Sequence, residues 1–190
     1  LLVERACYDE AVAIARSAAE ATAVGDPEEE GEHIGPLFDQ IQFDRVQNMI
    51  QVGIDEGATL VAGGPGRPEG FEKGWYVRPT IFADVNNSMR IAREEIFGPV
   101  LAIIPFDTEE DAVAIANDTP YGLAAYVQTG DAERAFRLSR ALRAGAVHIN
   151  GGAYEYGSPF GGYKASGNGR EGGAMGLEDF LETKMVHNMP

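Results

Sequence analysis

The sequence is organised around the heptapeptide Glu94-Glu95-Ile96-Phe97-Gly98-Pro99-Val100, in which two carboxylates and an aromatic residue precede a glycine–proline pair. Glycine adopts backbone angles that other residues avoid, and proline fixes φ, so the pair predicts a bend. The apolar run that follows, over residues 100–106, is typical of a buried strand. The pattern therefore predicts that Glu95 and Phe97 stand at the end of a buried strand and face a cleft.

Two interpretations of this bend remain open when the heptapeptide is considered alone. A carboxylate facing a cleft can accept hydrogen bonds from two neighbouring ribose hydroxyls, and a phenyl ring can pack on a flat heteroaromatic ring. The simpler alternative is an acidic pair on the surface, placed before a core strand. The heptapeptide by itself does not decide between a binding site and a solvated turn.

Three later segments extend the pattern: NDTPYGL at residues 117–123, GAVHIN at 145–150 and SPFGGYKASGNGRE at 158–171. Together with EEIFGPV they resemble, in the same order, motifs of the aldehyde dehydrogenase superfamily, and the resemblance begins at residue 1. It implies that residues 1–180 form the C-terminal part of the catalytic domain and that 181–190 form an oligomerisation tail. It places residue 1 after the catalytic cysteine motif and the dinucleotide-binding domain, so we expect a fragment.

Composition narrows the class of protein. The chain has 190 residues, a formal net charge of -15 and one cysteine, Cys7. The negative charge argues against nucleic-acid or anionic-membrane partners. No apolar run is long enough to span a membrane, and one cysteine cannot form an internal disulfide, so we expect a cytoplasmic protein. The three histidines are scattered and no zinc spacing occurs, so no metal site is predicted.

Hydrophobic periodicity predicts an α/β fold, a largely parallel sheet with flanking helices. Helices are expected over 8–22, 39–56 and 131–142, and strands over 75–82, 100–106, 123–127 and 146–149. Pro79 predicts that its strand lies at an edge or a bulge, because proline cannot donate to a ladder. Alternation over Glu182–His187 predicts a terminal strand, which the resemblance assigns to oligomerisation. The resemblance also implies a fold of the aldehyde dehydrogenase catalytic-domain type.

Residues 151–173 contain nine glycines and form a predicted loop after a strand end, a common place for binding sites. A flexible linker is the alternative, but Tyr154, Tyr156 and Tyr163 argue against it because linkers are poor in aromatic residues. The resemblance implies that Tyr154, Tyr156 and Phe160 line the substrate pocket. It also implies that Glu95 binds the nicotinamide ribose and that Phe97 borders the nicotinamide ring. Asn150 and Lys164 are expected to brace loops.

The resemblance implies an enzyme that oxidises an aldehyde to a carboxylic acid with NAD or NADP, through a cysteine thiohemiacetal and a thioester. No segment of the chain matches the nucleophile motif, the water-activating glutamate or the oxyanion amide. Cys7 lies at a predicted helix start, but its surroundings match the segment beyond the nucleophile. No catalytic residue is therefore assigned, and the 190 residues alone are expected to be inactive.

Two alternatives stay open at this level. A CoA-acylating aldehyde dehydrogenase passes its thioester to CoA and carries similar motifs. A non-catalytic interaction module could keep the fold and use the cleft or the terminal strand for binding. For the leading hypothesis, the expected partners are a small-molecule aldehyde and further copies of the chain in a homodimer or homotetramer. The motifs identify neither the aldehyde nor the choice between NAD and NADP.

Overall fold

A computed structural model describes residues 1–188. The chain divides into two units, Leu1–Ala112 and the residues from Val113 onward, which are described here one at a time. The helices are α1 (Tyr8–Ala21), α2 (Gln40–Asp55), α3 (Arg90–Arg93), α4 (Glu109–Asn117), α5 (Ala132–Ala141) and α6 (Gly173–Glu178). The strands are β1 (Leu2–Glu4), β2 (Ala23–Val24), β3 (His33–Ile34), β4 (Thr59–Ala62), β5 (Thr80–Ala83), β6 (Val100–Ala102), β7 (Ile104–Phe106), β8 (Ala124–Val127) and β9 (Ala146–Ile149).

The apolar run after the heptapeptide forms the centre of the first unit. Its first half, β6, pairs in parallel with β5, and its second half, β7, pairs in parallel with β1. The fully buried Ile103 lies between the halves and continues the ladder, because its N–H donates to the Phe82 carbonyl at 2.8 Å. The strand predicted over residues 100–106 is therefore confirmed. It is divided at Ile103, where its pairing partner changes from β5 to β1.

The edge position expected for the Pro79 strand is wrong, although its pairing with β4 does contain a register shift, between Leu60 and Ala62. The strand begins at Thr80, one residue after the proline, and it lies between β4 and β6 rather than at an edge. Pro79 stays outside the ladder, and the first bond runs from the Thr80 N–H to the Pro99 carbonyl at 2.8 Å. All four residues of β5 are buried, whereas Leu60 of the edge strand β4 is 39% exposed. A proline just before the first hydrogen bond of a strand thus does not confine that strand to the edge of a sheet.

Two amphipathic helices cover this sheet and its neighbourhood. Small side chains of α1, such as Ala11 and Ala15, pack against a cluster that contains Tyr8, Ile81 and Ile103. Helix α2 buries an apolar stripe, and burial of each large side chain contributes about 1.5–3 kcal/mol. The stripe comprises Phe43, Val46, Met49 and Ile50. The predicted helices over 8–22 and 39–56 are therefore confirmed to within one residue at each end, and Gly57 ends α2 with a φ of 89°.

The second unit contains the strand–helix–strand arrangement that the periodicity predicts. β8 and β9 pair in parallel, with Tyr126 opposite His148, and α5 connects them. The Asp131 carboxylate caps α5 by accepting hydrogen bonds from the Glu133 and Arg134 N–H groups. All strand pairs except β4–β5 are parallel, which confirms the largely parallel α/β fold.

The glycine-rich segment 151–173 packs closely rather than forming a flexible linker. A Cβ atom placed on Gly145 would lie 1.6 Å from the Gly161 carbonyl oxygen, so two backbones touch where no side chain fits. The Lys164 ammonium donates to the carbonyls of Asn117 and Thr119 at 2.9 and 3.1 Å. These contacts fix the segment to the turn that precedes β8.

The terminal strand predicted over Glu182–His187 is not formed in this chain. Among the described residues, 181–188 adopt neither helix nor strand. A strand is defined by hydrogen bonds to a neighbouring strand, and no other described strand pairs with this segment. The oligomerisation role of 181–190 stays a prediction, and Met189 and Pro190 lie outside the described residues. None of the described helices is long and apolar enough to cross a membrane.

The cap of α5 leads to a prediction about acid stability. Hydrogen bonds from the backbone, that of Arg134 foremost, lower the pKa of Asp131 below its ordinary value of 3.8. A carboxyl with a lowered pKa in the folded state stabilises the fold above its unfolded pKa, and this contribution is lost as pH falls through the folded pKa. Asp131→Asn keeps a capping oxygen without a titrating group, so its Tm should fall less than that of the unmodified chain between pH 6 and pH 3. An equal fall in Tm for the two proteins would contradict a lowered pKa for the capping Asp131 carboxyl.

Candidate functional site

Helix α2 holds the heptapeptide through side chains that lie one turn apart on one face. The Gln42 amide donates to the carbonyls of Ile96 and Phe97 at 3.1 and 2.6 Å. The Arg45 guanidinium donates to the carbonyl of Glu95. Residues three and four apart on a helix are neighbours, so one helical face reaches three successive carbonyls. We refer to Gln42, Arg45 and Val46 as the α2 clamp.

Phe97 occupies a backbone conformation that bulky residues seldom adopt. Its φ is 58°, in the left-handed region, where the side chain of any residue other than glycine crowds the backbone. Such residues persist only when their surroundings determine them, and they are concentrated at functional sites. Here the α2 clamp supplies those surroundings, while Ile96 is buried and anchors the turn. The turn consequently directs the Phe97 ring outward, where it is 66% exposed.

Gly98 brings the heptapeptide into contact with α2. A Cβ atom at this position would lie 2.7 and 2.8 Å from the two methyl carbons of Val46, which is itself fully buried. The close approach allows the Pro99 carbonyl to accept from Thr80 and so to begin the β5–β6 ladder. The turn is thus fixed on one side by α2 and on the other by the sheet.

The two acidic residues of the heptapeptide have different environments. The Glu94 carboxylate accepts two hydrogen bonds from Arg90, at 2.7 and 3.2 Å, and these hold the pKa of Glu94 below its ordinary value. Within residues 1–188, the Glu95 carboxylate has no hydrogen-bonding partner, although its backbone carbonyl is held by Arg45. Glu94 therefore has a structural partner, and Glu95 presents an acceptor on a fixed backbone.

This arrangement fits a ligand with paired hydroxyl groups beside a flat ring. An ionised carboxylate only accepts hydrogen bonds and has two oxygens to receive them. The exposed Phe97 ring, two residues away, offers a flat apolar face. The structure thus brings the two predicted cofactor-binding residues, Glu95 and Phe97, onto one turn at the amino end of β6.

The three predicted pocket residues belong to the second unit, and two of them, Tyr154 and Phe160, are in contact. The Tyr154 and Phe160 rings meet edge to face with their centroids 6.3 Å apart, and the Tyr154 hydroxyl donates to the Ser158 carbonyl at 2.6 Å. Phe160 is fixed by two backbone hydrogen bonds to Glu171, both 2.7 Å long. Tyr156 is fully exposed and has no ring contact within the described residues. A pocket-lining role for all three stays a prediction.

The residues expected to brace loops do so. The Asn150 side chain accepts from the Thr129 N–H at 2.9 Å and donates to the Thr129 carbonyl at 2.8 Å. Lys164 donates to two carbonyls, as described above, rather than pointing to solvent. Sequence reasoning missed Gln42 and Arg45, because they lie on the polar side of a predicted helix and their partners are 50 to 55 residues away.

Neither a metal cluster nor a reactive thiol stands out in the part of the chain that the structure covers. No group of three or more histidine, cysteine, aspartate or glutamate side chains converges among residues 1–188. The Cys7 thiol is exposed and lies 3.4 Å from the Glu4 carbonyl oxygen. Cys7 is the last residue before α1, so the predicted position at a helix start is confirmed.

Comparisons with known proteins identify the family to which the chain is related. Residues 1–186 match the aldehyde dehydrogenase family. A 3-succinoylsemialdehyde-pyridine dehydrogenase from Pseudomonas sp. is 50% identical over 186 residues, which cover 98% of this chain and 39% of that protein. An aldehyde dehydrogenase from Bartonella henselae superposes with a TM-score of 0.93 at 54% identity, covering 96% of this chain and 38% of that one.

A further structure, of an aldehyde dehydrogenase C mutant from Pseudomonas syringae in complex with NAD+ and octanal, superposes with a TM-score of 0.92 at 55% identity. It covers 96% of this chain and 38% of the other. The fold is an α/β fold of the kind found in solved aldehyde dehydrogenase structures. The chain belongs to the aldehyde dehydrogenase family, and it spans about two-fifths of the length of the relatives it matches.

The close approach at Gly98 gives a stability prediction. Gly98→Ala forces a methyl group against the buried Val46, and overpacking of this kind costs about 1–3 kcal/mol. Gly130→Ala is the matched control, because a Cβ there meets nothing within 4 Å and its φ is not positive. Denaturant unfolding of both variants should show a lower midpoint for Gly98→Ala only. A midpoint like that of the unsubstituted chain would contradict the contact.

Proposed function

We propose that this chain is part of an NAD(P)-dependent aldehyde dehydrogenase that oxidises an aldehyde to a carboxylic acid. In this proposal the residues correspond to the C-terminal part of the catalytic domain. The observation that carries it is the clamped turn, on which Glu95 presents a carboxylate that has no partner among residues 1–188, beside the exposed Phe97 ring. Membership of the family and a relative crystallised with NAD+ and octanal support it.

The Glu95 carboxylate would accept hydrogen bonds from the two hydroxyls of the nicotinamide ribose, and Phe97 would border the nicotinamide ring. When bound, the nicotinamide accepts the hydride that leaves the aldehyde carbon. These two residues act by positioning: the α2 clamp fixes their backbone before the cofactor arrives, so little ordering accompanies binding. Precise placement matters because a displacement of about 1 Å can cost roughly 100-fold in rate.

The nucleophile lies outside these 190 residues in this proposal. The single thiol, Cys7, is exposed at the start of α1, and the nearby Arg5 side chain pairs with Asp107. The chain by itself would accordingly not oxidise aldehydes. A cysteine supplied by the remaining part of the enzyme would form the thiohemiacetal and the thioester.

Assembly into a homodimer or homotetramer belongs to the same proposal. Large apolar side chains near the end of the chain are exposed to solvent: Phe180, Leu181, Met185 and Val186 are 85%, 60%, 76% and 59% exposed. Exposed apolar side chains that cluster in sequence are typical of contact surfaces. In a neighbouring copy, an unpaired sheet edge would provide the partner that residues 182–187 lack here.

The function is tested by a chimera in which this chain replaces the matching segment of the Bartonella henselae relative. The chimera should oxidise aldehydes and reduce NAD+, whereas the 190-residue chain should do neither. Within the chimera, Glu95→Gln removes charge-assisted hydrogen bonds worth about 1.5–3 kcal/mol each, so hydride transfer should slow about tenfold or more. Single-turnover production of reduced cofactor measures that rate.

Glu94→Gln is the matched control for this experiment. It changes the neighbouring carboxylate in the same way, but that carboxylate pairs with Arg90 within the protein. Its hydride-transfer rate should stay within about twofold of the unsubstituted chimera, because exposed ion pairs contribute little. If Glu95→Gln lowers the Tm and leaves the rate unchanged, Glu95 has a structural role and the cofactor assignment is wrong.

The pocket assignment is tested by comparing two tyrosines of the same loop. Tyr154→Ala removes the ring that packs on Phe160, so it should change the order in which the chimera prefers short, long and aromatic aldehydes. One group in an apolar pocket is worth about 1–3 kcal/mol of discrimination, or 10- to 200-fold in relative kcat/KM. Tyr156→Ala, at a fully exposed position, shows whether that ring also contributes. A uniform loss across all aldehydes would contradict a pocket role.

A further inference from the structure

His148 and Tyr126 form a stacked pair on the open face of the β8–β9 sheet. The residues are directly opposite each other in the parallel ladder, and their ring planes are 14° apart. The ring centroids are 4.8 Å apart, which equals the usual spacing of neighbouring strands. The ladder itself therefore places the rings in contact, and Tyr126 remains 75% exposed on the outer side.

The other contact of His148 is with the loop that follows its own strand. The Nδ1 atom lies 2.8 Å from the Gly152 carbonyl oxygen. A carbonyl oxygen only accepts hydrogen bonds, so Nδ1 carries the proton in this contact. The Gly152 N–H in turn donates to the Ile149 carbonyl at 3.0 Å. Both backbone polar groups of Gly152 are thus fixed, one by the strand end and one by the imidazole.

Gly152 is where the glycine-rich segment leaves the strand. Asn150 and Gly151 have φ values of 51° and 76°, and this pair of left-handed residues turns the chain sharply after β9. Ala153 and Tyr154 follow immediately. At the far end of the loop, Phe160 is fixed by its two hydrogen bonds to Glu171. The Tyr154–Phe160 ring contact therefore depends on two anchors, one at Gly152 and one at Phe160.

We propose that His148 is a positioning residue: its hydrogen bond to Gly152 sets the position of Tyr154 and thereby the aldehyde preference of the site. The ring stack with Tyr126 holds the imidazole at the angle that this hydrogen bond needs. The preference part rests on the proposed function, because it takes Tyr154 as a pocket residue. The anchoring part rests only on contacts within the second unit.

Two substitutions separate the hydrogen bond from the ring. His148→Asn keeps an N–H donor close to the place of Nδ1 and removes the ring, whereas His148→Phe keeps the ring stack and removes the donor. His33→Phe is the matched control, because His33 also contacts a carbonyl, that of Asp26 at 2.8 Å, but lies in the first unit. The first measurement is hydrogen exchange of the two hydrogen-bonded amides of the loop, those of Gly152 and Ser158, in the 190-residue chain.

In His148→Phe, exchange of the Gly152 and Ser158 amides should accelerate about fivefold to tenfold, as expected when one hydrogen bond of a local structure is lost. His148→Asn should restore most of the protection, and His33→Phe should leave these amides unchanged. Unchanged exchange in His148→Phe would overturn the anchor. Failure of His148→Asn to rescue while the Tm of both variants falls equally would show that the ring merely packs, and would also overturn it.

The second measurement is the ratio of kcat/KM for octanal to that for benzaldehyde in the chimera. His148→Phe should shift this ratio at least about threefold, with His148→Asn closer to the unsubstituted chimera, because displaced pocket groups alter discrimination more than turnover. Accelerated exchange with an unchanged ratio would overturn the preference part. A chimera without any dehydrogenase activity would contradict the proposed function instead, and the exchange measurement would still decide whether His148 anchors the loop.

Discussion

The parallel ladder around residues 100–106 is the constraint on which the first unit depends. Ile103 is fully buried at the point where the segment exchanges its pairing with β5 for its pairing with β1. The β5–β6 ladder begins with the hydrogen bond from the Thr80 N–H to the Pro99 carbonyl. It therefore determines where the heptapeptide joins the sheet. A strand register is difficult to shift when one face is buried, since a slip of one residue exposes the whole apolar set.

The heptapeptide stores strain at the position where recognition is proposed. Phe97 stands in the left-handed region, and the carbonyls on either side of the turn are held by Gln42 and Arg45. Strained backbone of this kind is typical of sites whose geometry must exist before the ligand binds. The two adjacent glutamates differ in their hydrogen-bonding partners. Arg90 pairs with the Glu94 carboxylate, whereas the Glu95 carboxylate has no partner among residues 1–188.

Local patterns predicted much of this structure, because helix stripes, the capping of α5 and the β8–α5–β9 arrangement depend on near neighbours. The α2 clamp could not be predicted in this way, since Gln42 and Phe97 are 55 residues apart and nothing in either segment specifies the other. The edge position predicted from Pro79 was wrong because the strand begins at Thr80, after the proline, and not at residue 75. The terminal strand is not formed in the single chain because a strand needs a partner, which periodicity alone does not provide.

The pairing of β1 with β7 has a consequence for how the protein is made. Leu2 pairs with Ile104, so β1 cannot pair with β7 until about a hundred later residues have been synthesised. At about 5–20 residues per second, this interval is on the order of 5–20 seconds. During that time the apolar segment Leu1-Leu2-Val3 is without its β7 partner and that edge is open to premature association. The β8–α5–β9 unit has no such delay, because its strands are separated only by a short helix and can pair as soon as they emerge.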